Sequence, residues 1–454
     1  MLKKIYLYNK IFWSRGKRLK KILFNTFKYI GIFILLVSIA LGLLVITAMI
    51  PKERIEENMK ESVQFYKDNQ GIAGKRGYEH TFIHYYADSI LLNIIYNIDT
   101  DKPLESVLWS KYYETIKIDI NKDFIETVEQ SKEANQQYLR YWHGSMAVLR
   151  PLFVIFNVNQ IYSINKVILF GLAIALFVIL YMKHKGLAIT YLISLIMTTF
   201  NIVPMCFEYS WTFYIMFIVS IIIALNEKKK NDSYFCMIFF ITGIITCYLD
   251  FLITEIITYF VPMLILIALR NKEKRIGKFK NVLSLVIKTG LLWFVGYALM
   301  WLAKWSIAGA ILNISPIIYV KDNLLERVYS NITFINSGGF NFRAVIKNFW
   351  TLYPIVFGTN IIAKVWILAG LVLVFAVVID WNNLKGKWIA VIYLILAMAP
   401  YARYYFLTSH SWSHFFFTYR SQMITIIALG LLIMECFNYN ILKKLKRKAG
   451  TKDE

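Results

Sequence analysis

The segment TSHSWSHFFFTYRSQ, residues 408–422, places two histidines four residues apart and an arginine six residues further along. On a helix, His410 and His414 share one face. Two histidines at that spacing can bind a divalent metal ion, although no nearby cysteine or acid completes a set of ligands. Arg420 stays charged at any physiological pH, and its planar fork matches phosphate oxygens. Two interpretations remain: Arg420 binds a lipid phosphate with the histidines beside it, or Arg420 snorkels and the histidines belong to an aromatic belt.

Three carboxylates are candidates for a catalytic base. Asp88 precedes the apolar run SILLNIIYNI, where it either caps a helix or lies at the membrane surface. Glu56 and Glu57 are closer to the first apolar block, but they begin a charged stretch that is typical of a solvated helix. A base must reach the hydroxyl that it deprotonates. The sequence therefore favours Asp88 over the other two.

Further ionisable residues fall near the same predicted span ends, where burying a charge is expensive and usually has a purpose. His143 and Arg150 alternate with aromatic and aliphatic residues at one such end. Asp250 and Glu255 lie five residues apart in CYLDFLITEIIT, and either could contribute to a site or pair with a buried Arg or Lys that fixes helix packing. Arg403, after a later apolar block, is a further structural or site candidate.

The elements that must position these residues are membrane helices. Of the 454 residues 58% are hydrophobic and 17% aromatic, and the mean hydropathy is +0.51. The apolar blocks have about the length that a helix needs to cross the roughly 30 Å hydrocarbon core. The sequence thus predicts an all-α integral membrane protein with ten spans: 29–50, 165–181, 187–204, 211–225, 234–249, 251–269, 284–303, 361–380, 388–402 and 420–438.

The net charge of +23 is distributed along the chain and does not indicate nucleic-acid binding. Short segments between alternate apolar blocks hold 28 of the 51 Lys and Arg residues. This positive-inside pattern predicts a multi-pass protein of the cell membrane with both termini in the cytoplasm. The four cysteines show no CxxC spacing and predict neither a metal site nor a disulfide framework.

Two extracytoplasmic segments interrupt the predicted single domain, 1–454. The first, 51–160, contains 16 of the 28 acidic residues, and the second is 304–360. Both mix apolar stretches with isolated charges, which predicts helices lying in or on the membrane interface. Residues 234–269 are either two full spans or a re-entrant pair.

The segments YYADSILLNIIYNID, RYWHGSMAVLRPLF, CYLDF and SHSWSHFFFTYR resemble parts of GT-C type polytopic glycosyltransferases, in an uncharacterised Gram-positive branch. The resemblance covers most of the chain. It implies a bacterial enzyme that moves a sugar from a polyprenyl-phosphate donor to a cell-envelope glycan or lipid acceptor outside the membrane. It also implies a carboxylate base, for which Asp88, Glu56 and Glu57 are the candidates. The departing phosphate would be bound by cationic residues, for which the candidates are Arg420, His410, His414, Arg150 and His143.

Two other functions stay open. A polysaccharide polymerase or ligase would share the same spans and basic outer ends. A flippase or transporter of lipid-linked sugars predicts inverted repeats and helices broken at mid-membrane, for which only the 234–269 segment is a candidate.

Overall fold

A computed structural model describes residues 2–69, 85–115, 120–315, 321, 340–352, 361–379 and 388–437. They form nineteen α-helices and one short hairpin. The first six helices are α1 Leu2–Ala48, α2 Lys52–Asp68, α3 Tyr86–Tyr96, α4 Pro103–Trp109, α5 Ile120–Gln130 and α6 Met146–Leu152. The hairpin pairs β1, Lys111–Tyr112, with β2, Gln136–Gln137, in antiparallel register.

The remaining helices form the bundle and one of its covers. They are α7 Val158–Lys183, α8 Lys185–Met197, α9 Phe207–Asn226, α10 Asp232–Leu249, α11 Ile257–Lys272, α12 Phe279–Leu312, α13 Phe340–Thr351, α14 Ile361–Val378, α15 Trp388–Ala397, α16 Ala399–Phe406, α17 Thr408–Ser413, α18 Phe415–Thr418 and α19 Met423–Cys436. Two 3₁₀ turns, Phe200–Met205 and Tyr419–Gln422, precede α9 and α19.

The predicted all-α membrane class is confirmed. Seven helical stretches within the described residues are long and apolar enough to span a membrane, fewer than the ten predicted spans: Thr26–Ala48, Val158–Lys183, Phe207–Asn226, Asp232–Leu249, Phe279–Leu312, Trp388–Phe406 and Phe415–Cys436. The other three predicted spans also coincide with helices, namely α8, α11 and α14. The chain is therefore a multi-pass membrane protein.

The bundle has two chemically different ends. At the first, which we call the basic end, Arg270 pairs with Asp232 at 2.7 Å, and the buried Glu227 pairs with Lys183 at 3.6 Å and with Arg275. These contacts join the ends of α7, α9 and α11 to the start of α10. The opposite end, which we call the polar end, carries α2–α6, the hairpin and α13.

Close packing of α10 on α12 depends on two glycines. A Cβ on Gly243 would collide with the backbone carbonyl of Trp293, and a Cβ on Gly296 with that of Phe240. Small residues permit such an approach between membrane helices. A hydroxyl network joins the same region to α11, because Thr258 accepts hydrogen bonds from Thr246 at 3.0 Å and from the Trp293 indole at 3.1 Å.

The first large segment is folded onto the bundle. Every residue of α3 from Asp88 to Tyr96 is buried, and α3 packs on α5 and α9. The position of this stretch relative to the membrane interface stays a prediction. A helix that is apolar all round must be covered on every face, and here the cover is protein.

Candidate functional site

Arg420 is a buried cation with unmet hydrogen-bonding capacity. Its side chain is 1% exposed and lies in the 3₁₀ turn before α19. Nη1 donates to the Phe416 carbonyl at 3.3 Å, whereas Nε and Nη2 have no hydrogen-bond partner in the described part of the chain. Leaving a buried donor unpaired costs roughly 1–3 kcal/mol, and more when the group is charged. Such a guanidinium is suited to an anionic ligand.

Tyr209 lies against this guanidinium, with its ring centroid 4.8 Å from the Arg420 Cζ. The Tyr209 hydroxyl is also buried and lacks a hydrogen-bond partner within the described residues. Tyr209 is therefore in contact with the predicted phosphate ligand.

Asp88 is a cap for a distant helix. Its carboxylate accepts hydrogen bonds from the amides of Phe207 at 2.7 Å and Glu208 at 3.0 Å, the first two residues of α9. The Tyr162 hydroxyl donates at 2.6 Å and the Cys206 thiol at 3.5 Å. A carboxylate at a helix N-terminus is stabilised by the amides and the helix dipole.

The prediction that Asp88 could cap its own helix is wrong, since α3 begins two residues earlier, at Tyr86. Burial raises the pKa of Asp88 to about 6, and the hydrogen bonds from Tyr162 and α9 oppose the rise. At neutral pH the carboxylate is therefore ionised, as its four donors require.

Glu56 and Glu57 lie on α2 and are more accessible than Asp88. Glu56 forms an exposed ion pair with Lys60 at 2.7 Å, one helical turn away. This hydrogen bond lowers the pKa of Glu56. Glu57 is exposed. The structure thus agrees with the prediction of a solvated helix at this position.

Arg150 and Lys304 bind backbone carbonyls. Arg150, 1% exposed, donates to Ile95 O near the end of α3 and to Ile50 O at 2.6 Å, just after α1. Lys304 donates to the carbonyls of Val107 and Leu108 in the last turn of α4, at 3.0 and 3.1 Å. Cations at helix C-termini satisfy the free carbonyls and the dipole.

His143 has a positive φ of 52° and is 2% exposed. Its Nε2 lies 3.0 Å from the Tyr138 carbonyl, and burial lowers the pKa of the imidazole to about 3. A neutral ring in this position cannot serve as a phosphate counter-ion. We therefore leave His143 and the carbonyl-bound Arg150 out of the proposed site.

The turn between α10 and α11, residues 250–256, collects the other polar groups. Arg403 forms a two-pronged ion pair with Glu255, at 2.7 Å from Nε and 2.9 Å from Nη2. A buried ion pair is one of the two alternatives that the sequence leaves open for Glu255. Asp250 accepts from the amides of Leu252 at 2.8 Å and Ile253 at 3.2 Å, and burial with the nearby Glu255 raises its pKa.

The histidine pair belongs to this turn. His410 Nε2 lies 2.6 Å from the Leu252 carbonyl, and the His410 and His414 rings are 4.6 Å apart. The Phe417 ring contacts both histidines and Tyr209, so it lies between the pair and the Arg420 site. In the described ranges no three His, Cys, Asp or Glu side chains are arranged to hold a metal.

Sequence reasoning missed Tyr209, Tyr162 and Leu252. The two tyrosines lie next to predicted spans, where an aromatic residue is expected and does not indicate a functional site. Leu252 has a φ of 66°, a region that a bulky side chain rarely adopts, and nothing in the local sequence marks it. Its carbonyl accepts from both Arg403 Nη2, at 2.6 Å, and His410.

Comparison of the chain with protein-family models, with curated proteins and with solved structures gives no match. The resemblance to GT-C glycosyltransferases therefore stays a prediction, and the function must be argued from the site.

Proposed function

We propose that the protein transfers a sugar from a polyprenyl-phosphate donor to an acceptor at the polar end of the bundle, with Arg420 binding the donor phosphate. The observation that carries the proposal is the buried guanidinium of Arg420, whose Nε and Nη2 lack partners within the described residues. Phosphate oxygens can accept from both nitrogens in a charge-assisted, two-pronged arrangement.

The depth of Arg420 supports a lipid-linked ligand. Arg420 lies within the stretch Phe415–Cys436, one of the membrane-spanning candidates. Burying the charge of a phosphate at this depth is costly unless a cation pairs with it. An apolar tail would hold the rest of the ligand in the membrane. The Tyr209 ring now covers the guanidinium, and a cation–π contact of about 1–2 kcal/mol is weak enough for a phosphate to displace.

In this reaction the acceptor oxygen bonds to the anomeric carbon of the sugar, while the C–O bond from that carbon to the phosphate breaks and the phosphate leaves with the electron pair. Arg420 stabilises the charge that develops on the leaving oxygen. A carboxylate removes the proton of the acceptor hydroxyl. Asp88 is the first candidate because the sequence favours it over the other carboxylates; to act as base it must exchange the Tyr162 hydroxyl for that of the acceptor. Glu56 and Glu57 are the alternatives.

The proposal places the polar end outside a bacterial cell membrane and both termini in the cytoplasm. It rests on the 28 basic residues in alternate segments. Asp101 and Lys229 are exposed residues at opposite ends of the bundle, and each can be replaced by a single cysteine. An impermeant maleimide should label Asp101→Cys in intact cells, and Lys229→Cys only after permeabilisation. The opposite pattern would remove the outer site.

Binding of polyprenyl monophosphate to the purified protein in lipid nanodiscs tests the phosphate site. Arg420→Ala should weaken binding tenfold or more, and Arg420→Lys less, because the ammonium keeps the charge but loses the fork. Arg54→Ala, at an exposed position of α2, is the control and should bind as the wild type does. Wild-type affinity and transfer rate in Arg420→Ala would leave only the snorkelling interpretation.

Turnover separates the competing functions. A transferase moves one labelled sugar from polyprenyl phosphate to an acceptor. A polymerase or ligase instead joins preassembled lipid-linked chains. A flippase moves a fluorescent lipid-linked sugar across a proteoliposome membrane without breaking its phosphate bond, and that result would replace the transferase proposal.

A further inference from the structure

A row of aromatic rings lies at the polar end, beside the turn 250–256. We call it the aromatic surface. It consists of the half-buried or exposed residues Tyr86, Tyr112, Tyr138, Trp301 and Trp305, with the buried Tyr141 beneath them. The hairpin and the residues after it supply three of these rings, α12 two, and α3 one.

Five of the six rings form a continuous path, which passes through the buried Tyr141. Successive centroid distances are 6.1 Å from Tyr112 to Tyr138, 5.4 Å from Tyr138 to Tyr141, 5.1 Å from Tyr141 to Trp301 and 5.1 Å from Trp301 to Trp305. Mutual edge and tilted contacts of this kind hold rings in fixed orientations. The path is therefore a rigid surface rather than a set of independent side chains.

Polar groups of both signs stand at the ring edges. Glu114 accepts a hydrogen bond from the Tyr112 hydroxyl at 3.0 Å. Arg140 donates to the Tyr138 hydroxyl at 3.1 Å, and its guanidinium lies 4.7 Å from the Tyr138 ring centroid. Burial and the nearby Glu114 raise the pKa of the Tyr86 hydroxyl.

The aromatic surface adjoins the polar site through one turn. The Tyr141 hydroxyl donates to the Phe251 carbonyl at 3.4 Å. The next carbonyl, that of Leu252, accepts from Arg403 and His410. A ligand lying on the rings would thus end beside the residues that fix the α10–α11 turn.

We propose that the aromatic surface binds an uncharged saccharide, the acceptor in the proposed reaction. This inference rests on the proposed function. Sugar rings present apolar C–H faces that stack on aromatic rings, and hydroxyl rims that pair with groups such as Glu114 and Arg140. Aromatic side chains with a few fixed polar groups are the usual composition of a small-ligand site.

An aromatic belt at the lipid interface would explain Trp301 and Trp305 on α12. It does not explain Tyr112 and Tyr138, which belong to the hairpin region outside the spanning helices. Nor does an anionic headgroup fit, because Glu114 stands among the rings and offsets Arg140. The presence of one charge of each sign, Glu114 and Arg140, favours a neutral, hydroxylated ligand.

Saturation-transfer NMR on the full-length protein in nanodiscs tests the surface, with neutral tetrasaccharides of glucose and of N-acetylglucosamine as probes. Irradiating the aromatic protons of the protein should transfer saturation to the C–H protons of at least one probe. Tyr138→Ala should weaken that binding at least fivefold, whereas Tyr138→Phe keeps the ring and most of the affinity. Tyr181→Ala removes an exposed tyrosine of α7 near the basic end and should change nothing.

Loss of folding in Tyr138→Ala does not prevent the test, because Glu114→Gln keeps every ring and should still reduce affinity through the lost carboxylate. Absence of transfer to both probes, or equal affinity in all variants, overturns the saccharide site. Arg420→Ala should leave saccharide binding intact. Failure of the donor site and failure of the saccharide site are thus separately visible.

Discussion

The guanidinium of Arg420 is stacked on the ring of Tyr209 at 4.8 Å, and neither the Tyr209 hydroxyl nor two of the three guanidinium nitrogens has a hydrogen-bond partner among the described residues. Buried cations elsewhere at the polar end are paired: Arg403 with Glu255, Lys304 and Arg150 with carbonyls. Arg150 Nε also lacks a partner among the described residues, but Arg420 has two such nitrogens and an unpartnered tyrosine hydroxyl beside them, which makes it the better site for a ligand.

Tyr209→Phe should separate ligand binding from folding. Removing a buried hydroxyl that has no partner should leave the thermal midpoint unchanged or raise it slightly, because no hydrogen bond is lost. If that hydroxyl donates to the bound phosphate, affinity for polyprenyl monophosphate should fall about fivefold to tenfold. Unchanged affinity would restrict the phosphate site to Arg420.

Asp88→Asn should destabilise the protein by roughly 1–3 kcal/mol. The carboxylate accepts two backbone amides at the start of α9, whereas an asparagine side chain turns its own donor toward one of them. Asparagine therefore disturbs both the cap and any base function. Asp101→Asn, at an exposed position, is the control, and thermal unfolding in detergent is the measurement.

The pH dependence of that difference has a defined sign. The pKa of Asp88 is about 6 in the fold against 3.8 for a free aspartate. For a raised pKa, the contribution to stability is complete below the unfolded value and is lost as the pH rises through the folded one. The destabilisation by Asp88→Asn should thus be largest near pH 4 and smaller above pH 6. A difference that grows with pH would contradict the raised pKa.

The site divides into parts that the sequence predicts and parts that it cannot. Charge, depth and side-chain type suffice to select Arg420, since an arginine beside an apolar run is expensive whatever its partners. The cap on α9 is different, because Asp88 and Phe207 are 119 residues apart. No local pattern reports a contact at that distance, and the same holds for Arg403 and Glu255, 148 residues apart.

The membrane spans are likewise predictable from the sequence only in part. Hydropathy located every predicted span on a helix, although three of these helices, α8, α11 and α14, are not among the seven spanning candidates. Helix α12 continues to Leu312, past the predicted boundary at residue 303, although it contains the buried Lys304. The Lys304 ammonium donates hydrogen bonds to two carbonyls of α4, a contact that the local sequence of α12 does not show.

Breaking the buried ion pair should be costly. Glu255→Gln or Arg403→Met leaves one charge uncompensated, which typically costs about 3–5 kcal/mol. The double variant should recover part of this loss, and a double-mutant cycle on thermal midpoints would show the coupling. Glu56→Gln breaks an exposed pair and should change stability by less than about 1 kcal/mol. Equal effects at the two pairs would contradict the burial of Arg403.

Gly243→Ala tests the contact of α10 with α12. The added methyl would collide with the Trp293 backbone carbonyl, which cannot move aside as a flexible side chain can. We expect helix separation and a loss of about 1–3 kcal/mol, the usual cost of overpacking a core. Gly171→Ala is the matched control, since its Cβ would meet nothing within 4 Å and alanine is the better helix former by about 1 kcal/mol. The control should therefore unfold at the same temperature as the wild type or higher.

Because Thr246 and Trp293 donate hydrogen bonds to Thr258 across this interface, Gly243→Ala should also shift the α10–α11 turn and weaken the polar site. Wild-type stability in Gly243→Ala would mean that α10 and α12 are further apart than described.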